Sequence, residues 1–169
     1  MNERDRYRGA MLGLAVGDAL GAPLEGASSA VAASAVAAGV EMSGGGRWAP
    51  GEWTDDTALA LALAESIADH GLLDSDDLAR RYISWANADG KGITTRRALV
   101  GAENAEDARA RARAHYEQSN LAAGNGTVMR VTPVGLAART LPEGAARRGD
   151  HGADRAAVLP RQRQGDEDR

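Results

Sequence analysis

Cysteine and phenylalanine are absent from this 169-residue sequence, and aromatic residues make up only 4% of it. The absence of cysteine excludes disulfides, thiolate metal sites and cysteine nucleophiles. A core without phenylalanine has to be built from Ala, Leu and Val, which suit close helix–helix contacts. A β-sandwich or barrel draws instead on β-branched and aromatic residues. The composition therefore predicts an all-α fold.

Excess positive charge and long apolar runs are also lacking. The formal net charge is -4 and the pI is about 5.4, which argues against a basic nucleic-acid-binding surface. No run approaches the roughly 18 apolar residues of a membrane span. The N-terminus, Met1–Arg6, does not carry the apolar segment of a secretory signal. We therefore expect a soluble cytoplasmic protein with neither nucleic acid nor membrane as a partner.

Hydrophobic periodicity predicts several helices and no strands. The clearest helix is amphipathic and covers residues 54–70, with Leu59, Leu63 and Ile67 on one face. Further helices are predicted over residues 7–20, 103–118 and 128–138, and after a cap at Asp74 or Ser75. The pattern agrees with an all-α architecture.

The first predicted helix, residues 7–20, is apolar on almost every face, and such a helix is expected to be buried. Glycine recurs at every fourth position along it, at Gly9, Gly13, Gly17 and Gly21. Each of these glycines costs roughly 1 kcal/mol in helix propensity. This glycine stripe therefore predicts that another backbone packs closely against the helix.

Two adjacent carboxylates and a hydroxyl begin the helix predicted over residues 54–70. These residues are Thr54, Asp55 and Asp56. Oxygen ligands of this kind suit a hard cation such as Mg²⁺. The same pattern is also typical of an ordinary helix start, where Thr54 is the N-cap and the aspartates complement the helix dipole.

Two further segments carry polar groups in unusual settings. Asp18 lies within an apolar helix and needs either a hydrogen-bonding partner or a chemical role. Glu25 follows a proline turn that can present it to a cleft. Residues 124–130 contain a Gly-Asn-Gly loop whose backbone can approach a ligand, and helix-start amides there can hold phosphate oxygens. Arg130 can pair with a phosphate or a carboxylate, although a plain connecting loop explains the same residues.

These segments together resemble the ADP-ribosylglycohydrolase family, which includes the dinitrogenase reductase-activating glycohydrolases. The matching stretches keep the family's order and spacing over about residues 6–138. They are Arg8–Gly13, Gly17–Glu25, Gly51–Thr57, Gly92–Arg96 and Asn125–Arg130.

The resemblance implies a compact all-α fold with a dinuclear Mg²⁺ or Mn²⁺ centre. It implies hydrolysis of the bond between ADP-ribose and an ADP-ribosylated protein or a small ADP-ribosyl compound. Metal ligation would fall to Thr54, Asp55 and Asp56, and the catalytic position over the substrate ribose to Glu25. The residues implied in ADP-ribose binding are Gly124, Asn125, Gly126, Met129 and Arg130.

The sequence is expected to divide into an ADP-ribosylglycohydrolase-like part, residues 1–140, and a polar tail, residues 141–169. From Pro142 onward Val158 and Leu159 are the only large apolar residues, so we expect the tail to be disordered or irregular. The sequence stops resembling the family near Arg139. This is the pattern of a truncated or frameshifted copy, and we therefore expect the activity to be impaired. Exposed apolar helix faces would permit self-association. The alternative is a non-catalytic fragment that binds ADP-ribose or a partner, or has no activity.

Overall fold

A computed structural model describes residues 2–88, 93–119 and 126–140. Its helices are α1 (Glu3–Gly21), α2 (Ser29–Ala38), α3 (Asp55–His70), α4 (Ser75–Ala88), α5 (Ile93–Leu99), α6 (Ala105–Ser119), α7 (Gly126–Met129) and α8 (Thr132–Thr140). A short 3₁₀ turn, Ala22–Leu24, follows α1 directly. Across the described ranges the β-type pairing is a single isolated bridge between Gly45 and Trp48. The prediction of an all-α fold is confirmed.

Helix α3 lies at the centre of the fold and packs against α1, α4 and α8. On the far side of α4, helices α5 and α6 complete a second group. Small residues allow the close approach of these helices. The core cluster of α4, α5 and α6 consists of Ile83, Ala86, Leu99, Ala102 and Ala108, with Tyr82 and Trp85 packed against it.

The helix predicted over residues 54–70 is α3, and its N-cap and apolar face are those predicted. Thr54 is its N-cap, with Oγ1 accepting the backbone N–H of Asp56 at 3.2 Å. Gly71, at φ 73°, ends the helix in the left-handed region that favours glycine. Leu59 and Leu63 are buried on the predicted apolar face.

Two other helix predictions are refined by the structure. Asp74 rather than Ser75 caps α4, because its Oδ1 accepts the N–H groups of Asp76 and Asp77 at 2.9 and 2.8 Å. The helix predicted over residues 128–138 is divided into α7 and α8. Pro133 lies in the first turn of α8, where its missing N–H is tolerated, whereas a continuous helix would have lost a hydrogen bond there.

The expectation that the first helix is buried is wrong for most of its length. Ala19 is its one buried residue, whereas Leu12 and Val16 are 64% and 44% exposed. The predicted close contact at the glycine stripe is also not made by any described residue. Apart from the backbone of α1 itself, no described atom lies within 4 Å of the position a Cβ would take at Gly9, Gly13, Gly17 or Gly21. The described elements that pack against α1 are mainly α3, α8 and the 3₁₀ turn, and they do not cover this face.

The predicted tail, residues 141–169, lies outside the described residues. Among the residues that are described, no helix combines the length and the apolar character needed to cross a membrane.

Arg81 joins α3 to α4 through a cluster of acidic side chains. Its Nε donates to Asp77 at 2.6 Å, and its two terminal nitrogens donate to Glu65 and Asp69. The hydrogen bond from the Arg81 guanidinium is the main cause that lowers the pKa of Asp77 to about 2. Asp77 therefore contributes to the pH dependence of stability.

We expect the free energy of unfolding to fall more steeply with acid in the wild type than in Asp77→Asn. A carboxyl with a pKa of about 2 when folded and 3.8 when unfolded stabilises the fold fully above that upper value. The contribution is lost as the pH falls through about 2. Urea titrations at a series of pH values measure the difference. Asp76→Asn, one residue away and 68% exposed, should follow the wild type. Parallel pH profiles for Asp77→Asn and the wild type would contradict this role.

Candidate active site

A cavity of about 710 Å³ lies between α1, the start of α3 and α7. Six of the nine residues that the resemblance implies for the site line it, although they come from three separate segments. They are Glu25, Thr54, Asp55, Asp56, Gly126 and Met129. Gly124 and Asn125 lie outside the described residues. The fold therefore brings the described motifs to one place.

Helix α1 forms one wall of the cavity. Gly13, Gly17 and Gly21 of the glycine stripe line it. A Cβ at any of these three positions would meet no described atom within 4 Å, so a side chain there would extend into open space. The glycine stripe therefore leaves space in the cavity. It does not provide the close helix contact that the sequence predicted.

Asp18 holds the start of α3 against α1. Its Oδ2 accepts the backbone N–H groups of Thr54 and Thr57 at 2.9 and 3.0 Å. The Thr57 hydroxyl donates to the same oxygen at 2.6 Å, and the Thr54 hydroxyl donates to Oδ1 at 2.7 Å. Two N–H groups at the start of α3 that have no acceptor within the helix thereby gain a hydrogen bond. These bonds supply the partner that a carboxylate in an apolar helix requires.

Asp55 and Asp56, the acidic pair, lie on the first turn of α3 and face the cavity. Burial is the main cause that raises the pKa of Asp55, and the nearby charge of Glu25 adds to it. Burial, followed by the charges of Asp55 and Asp18, raises the pKa of Asp56 to about 6. The Arg130 guanidinium opposes both shifts. Four carboxylates line the cavity, and burial disfavours the charged forms of two of them, so a bound cation would offset an unfavourable charge there.

The donor atoms around the acidic pair suit a hard divalent cation. The Thr54 hydroxyl donates to Asp18 and accepts from the Asp56 backbone, which leaves one of its two lone pairs. Two carboxylates and this oxygen form an all-oxygen set of the kind that binds Mg²⁺ or Mn²⁺. No group of three or more His, Cys, Asp or Glu residues that could hold a metal occurs in the described part of the chain. The set is therefore a partial shell, and Mg²⁺ commonly completes such shells with water.

Glu25 lines the cavity at the end of the 3₁₀ turn and is held by the loop that precedes α3. Trp48 Nε1 donates to Glu25 Oε2 at 3.0 Å, and Arg47 Nη2 donates to the same oxygen at 3.4 Å. The Arg47 guanidinium also lies over the Trp48 ring, 4.8 Å from its centroid. The sequence motifs did not identify Trp48 or Arg47. The only signal was a tryptophan in a glycine- and proline-rich segment.

Arg130 lies beside the acidic pair and is not part of the cavity lining in the described ranges. Its guanidinium carbon is 5.6 Å from the centroid of the Tyr82 ring. A Cβ on Gly126 would be 3.5 Å from Asp56 Oδ1 and 3.6 Å from Arg130 Nη1. That buried nitrogen has no hydrogen-bond partner in the described structure. Both distances are ordinary van der Waals contacts, so Gly126 lies next to the Asp56 carboxylate and the Arg130 guanidinium, but space alone does not require glycine there.

Comparison with known proteins gives one consistent family. A model of the family described as ADP-ribosylglycohydrolase matches residues 1–159. The chain is 39% identical over 137 residues to the ADP-ribosyl-[dinitrogen reductase] glycohydrolase of Rhodospirillum rubrum. It is 34% identical over 140 residues to the ADP-ribosylarginine hydrolase Tri1 of Pseudomonas putida.

These matches cover most of this chain and less than half of each relative. They include 79% of the chain against 45% of the Rhodospirillum protein, and 78% against 36% of the Pseudomonas protein. A solved structure titled an ADP-ribosylglycohydrolase-related protein complex is similar to this fold with a TM-score of 0.51 and 36% identity. That match covers 81% of this chain and 48% of the solved one. The chain thus spans about half the length of the proteins it resembles.

Proposed function

Because the chain belongs to the ADP-ribosylglycohydrolase family, we propose that its cavity binds an ADP-ribosyl group and hydrolyses the glycosidic bond of that group. The observation that carries the proposal is the convergence of Glu25, the acidic pair and α7 on one cavity. The substrate class is an ADP-ribosylated protein or a small ADP-ribosyl compound. The name of the Pseudomonas relative specifies arginine, which makes arginine-linked ADP-ribose the first substrate to test.

Thr54, Asp55 and Asp56 are the residues that would hold Mg²⁺ or Mn²⁺. An ion bound there supplies Lewis-acid polarisation, orients ribose hydroxyls and lowers the pKa of a bound water. The acidic pair contributes the negative charge that draws the cation into a partly buried site. Asp18 fixes the backbone from which these ligands project, since it binds the N–H groups of Thr54 and Thr57.

Glu25 is the residue that we assign to the reacting sugar. A carboxylate beside a glycosidic bond can orient the attacking water or stabilise the oxocarbenium-like centre that develops at the sugar carbon. The charge of Glu25 also acts on Asp55 and Asp56, so the three carboxylates share one electrostatic environment. Positive charge that develops at the sugar carbon in the transition state would be stabilised there.

Binding of ADP-ribose without hydrolysis is the second candidate function. The observation that favours it is the small donor set, in which the described residues supply two carboxylates and one hydroxyl for the cation. A partial shell of this kind binds an ion weakly, and hydrolysis would then be slow or absent. The cavity and the start of α7 would still accept ADP-ribose.

We expect the full chain with Mn²⁺ to release ADP-ribose from an ADP-ribosylated arginine peptide. Glu25→Gln should lower kcat by about 100-fold, because a positioned acid–base group commonly contributes 10²–10⁴-fold. Chromatography of released ADP-ribose measures the rate. Glu117→Gln, an exposed change on α6 and away from the cavity, is the matched control and should behave as the wild type.

Titration calorimetry with ADP-ribose separates the two candidates. Binding without release supports the non-catalytic function, and release that depends on both Mn²⁺ and Glu25 supports hydrolysis. A chain that shows neither binding nor release would contradict both.

A further inference from the structure

The Glu25 side chain is held more firmly than its position suggests. It is 53% exposed, and a glutamate at such a site ordinarily samples many rotamers. Here two donors, the Trp48 indole and the Arg47 guanidinium, converge on Oε2. In the described part of the chain, the hydrogen bonds of Glu25 leave Oε1 available to a group in the cavity. The carboxylate is therefore oriented by one oxygen and open at the other.

Trp48 is itself fixed by the loop that carries it. The residue is 6% exposed, and it exchanges two backbone hydrogen bonds with Gly45, of 2.9 and 3.0 Å. Gly44 has a φ of +69°, and a Cβ there would lie 2.7 Å from the carbonyl oxygen of Trp48. Only glycine fits this position without displacement of the loop. The indole is thus held by the backbone around it.

The same loop packs against the turn that carries Glu25. A Cβ on Gly45 would be 3.3 Å from Cβ of Pro23, two residues before Glu25. The Arg47 guanidinium covers the Trp48 ring and binds Glu25, so it links the donor to its acceptor. An indole has a single N–H donor with a fixed direction, which specifies one orientation of the carboxylate.

We propose that Trp48 is a positioning residue for Glu25, and that Arg47 supports it. This inference rests on the proposed function, since it assigns Trp48 a part in glycosidic hydrolysis through Glu25. A misplaced reacting group can reduce a rate by up to about 10²-fold even when binding is preserved. Loss of the indole N–H should accordingly act on kcat and leave KM almost unchanged.

The kinetic test compares Trp48→Phe with Trp85→Phe. The first removes the N–H donor beside Glu25, and the second makes the same chemical change in the α4–α6 cluster. We expect kcat to fall by about 10-fold in Trp48→Phe with KM within about 2-fold. Trp85→Phe should retain both values. In a Glu25→Ala background, under single-turnover conditions, Trp48→Phe should have no further effect. Equal losses with and without Glu25 would overturn the proposal.

A spectroscopic test needs no turnover and covers the case in which Trp48→Phe does not fold. The indole ¹⁵N–¹H signals of Trp48, Trp53 and Trp85 are compared between the wild type and Glu25→Ala. We expect the Trp48 signal to shift and its hydrogen exchange to accelerate by about 10-fold, while the Trp85 signal is unchanged. An unchanged Trp48 signal would overturn the proposal. If that signal responds but the wild type releases no ADP-ribose, the proposed function fails, and the positioning role of Trp48 in hydrolysis fails with it.

Discussion

Replacement of both Asp55 and Asp56 by asparagine is expected to weaken Mn²⁺ binding by about 100-fold or more. The two carboxylates at the start of α3 are the anionic ligands that we propose for the cation, and asparagine leaves neutral oxygens in similar positions. A hundredfold loss corresponds to about 2.7 kcal/mol, which is modest for the removal of two charges from a partly buried site. Titration of free Mn²⁺ by electron paramagnetic resonance measures the affinity directly.

The chain contains a close control for this variant. Asp76 and Asp77 form the acidic first turn of α4, as Asp55 and Asp56 do in α3, but they do not line the cavity. Their double replacement by asparagine should leave Mn²⁺ affinity unchanged. If it reduced the affinity as much as the change in α3, the assignment of the site would be wrong.

Loss of binding in the α3 variant should not be accompanied by loss of stability. The folded pKa of Asp56 is raised from 3.8 to about 6, so the ionised form is disfavoured in the fold. At neutral pH, asparagine removes that unfavourable charge. Thermal unfolding of the variant at or above the wild-type midpoint would show that its failure to bind Mn²⁺ reflects the missing ligands.

Asp18→Ala is expected to produce the largest loss of stability, about 3 kcal/mol. The substitution removes four hydrogen bonds to Thr54 and Thr57 and leaves two backbone N–H groups at the start of α3 without their acceptor. Hydrogen bonds to a charged group contribute roughly 1.5–3 kcal/mol each, and their sum is reduced because they share one carboxylate. Urea unfolding followed by circular dichroism gives the free energy.

Asp74→Ala is the matched comparison because Asp74 is an ordinary cap within one helix. It accepts the N–H groups of Asp76 and Asp77, and loss of such a cap costs about 1 kcal/mol. The difference between the two variants isolates the contribution of capping α3 from a second helix. Equal effects would mean that Asp18 acts only as a local cap.

Local patterns identified those parts of the fold whose determinants are close in sequence. Thr54 and Gly71 bound α3 because a cap and a left-handed glycine act within one turn of the helix. The acidic pair was recognisable for the same reason, since its members are adjacent. The exposure of α1 was not predictable from its apolar pattern. Such a pattern shows which faces avoid water, and other elements determine whether those faces are covered.

The site depends on contacts between residues that are distant in the sequence. The sequence indicated only some of these residues. The resemblance to a family selected Glu25, but the hydrogen bond from Trp48 joins residues 23 positions apart in a loop without periodicity. Asp18 was expected to need a partner, and no spacing rule connected it to Thr54 and Thr57, 36 and 39 residues later. Tertiary packing supplied both connections.

The hydrogen bonds between Asp18 and α3 also hold together two elements that line the cavity. The glycine face of α1 and the start of α3 at Thr54 both line it, and Asp18 joins them directly. A ligand that moved α3 away from α1 would have to break these hydrogen bonds. We therefore expect the cavity to resist widening between α1 and α3 when a ligand binds.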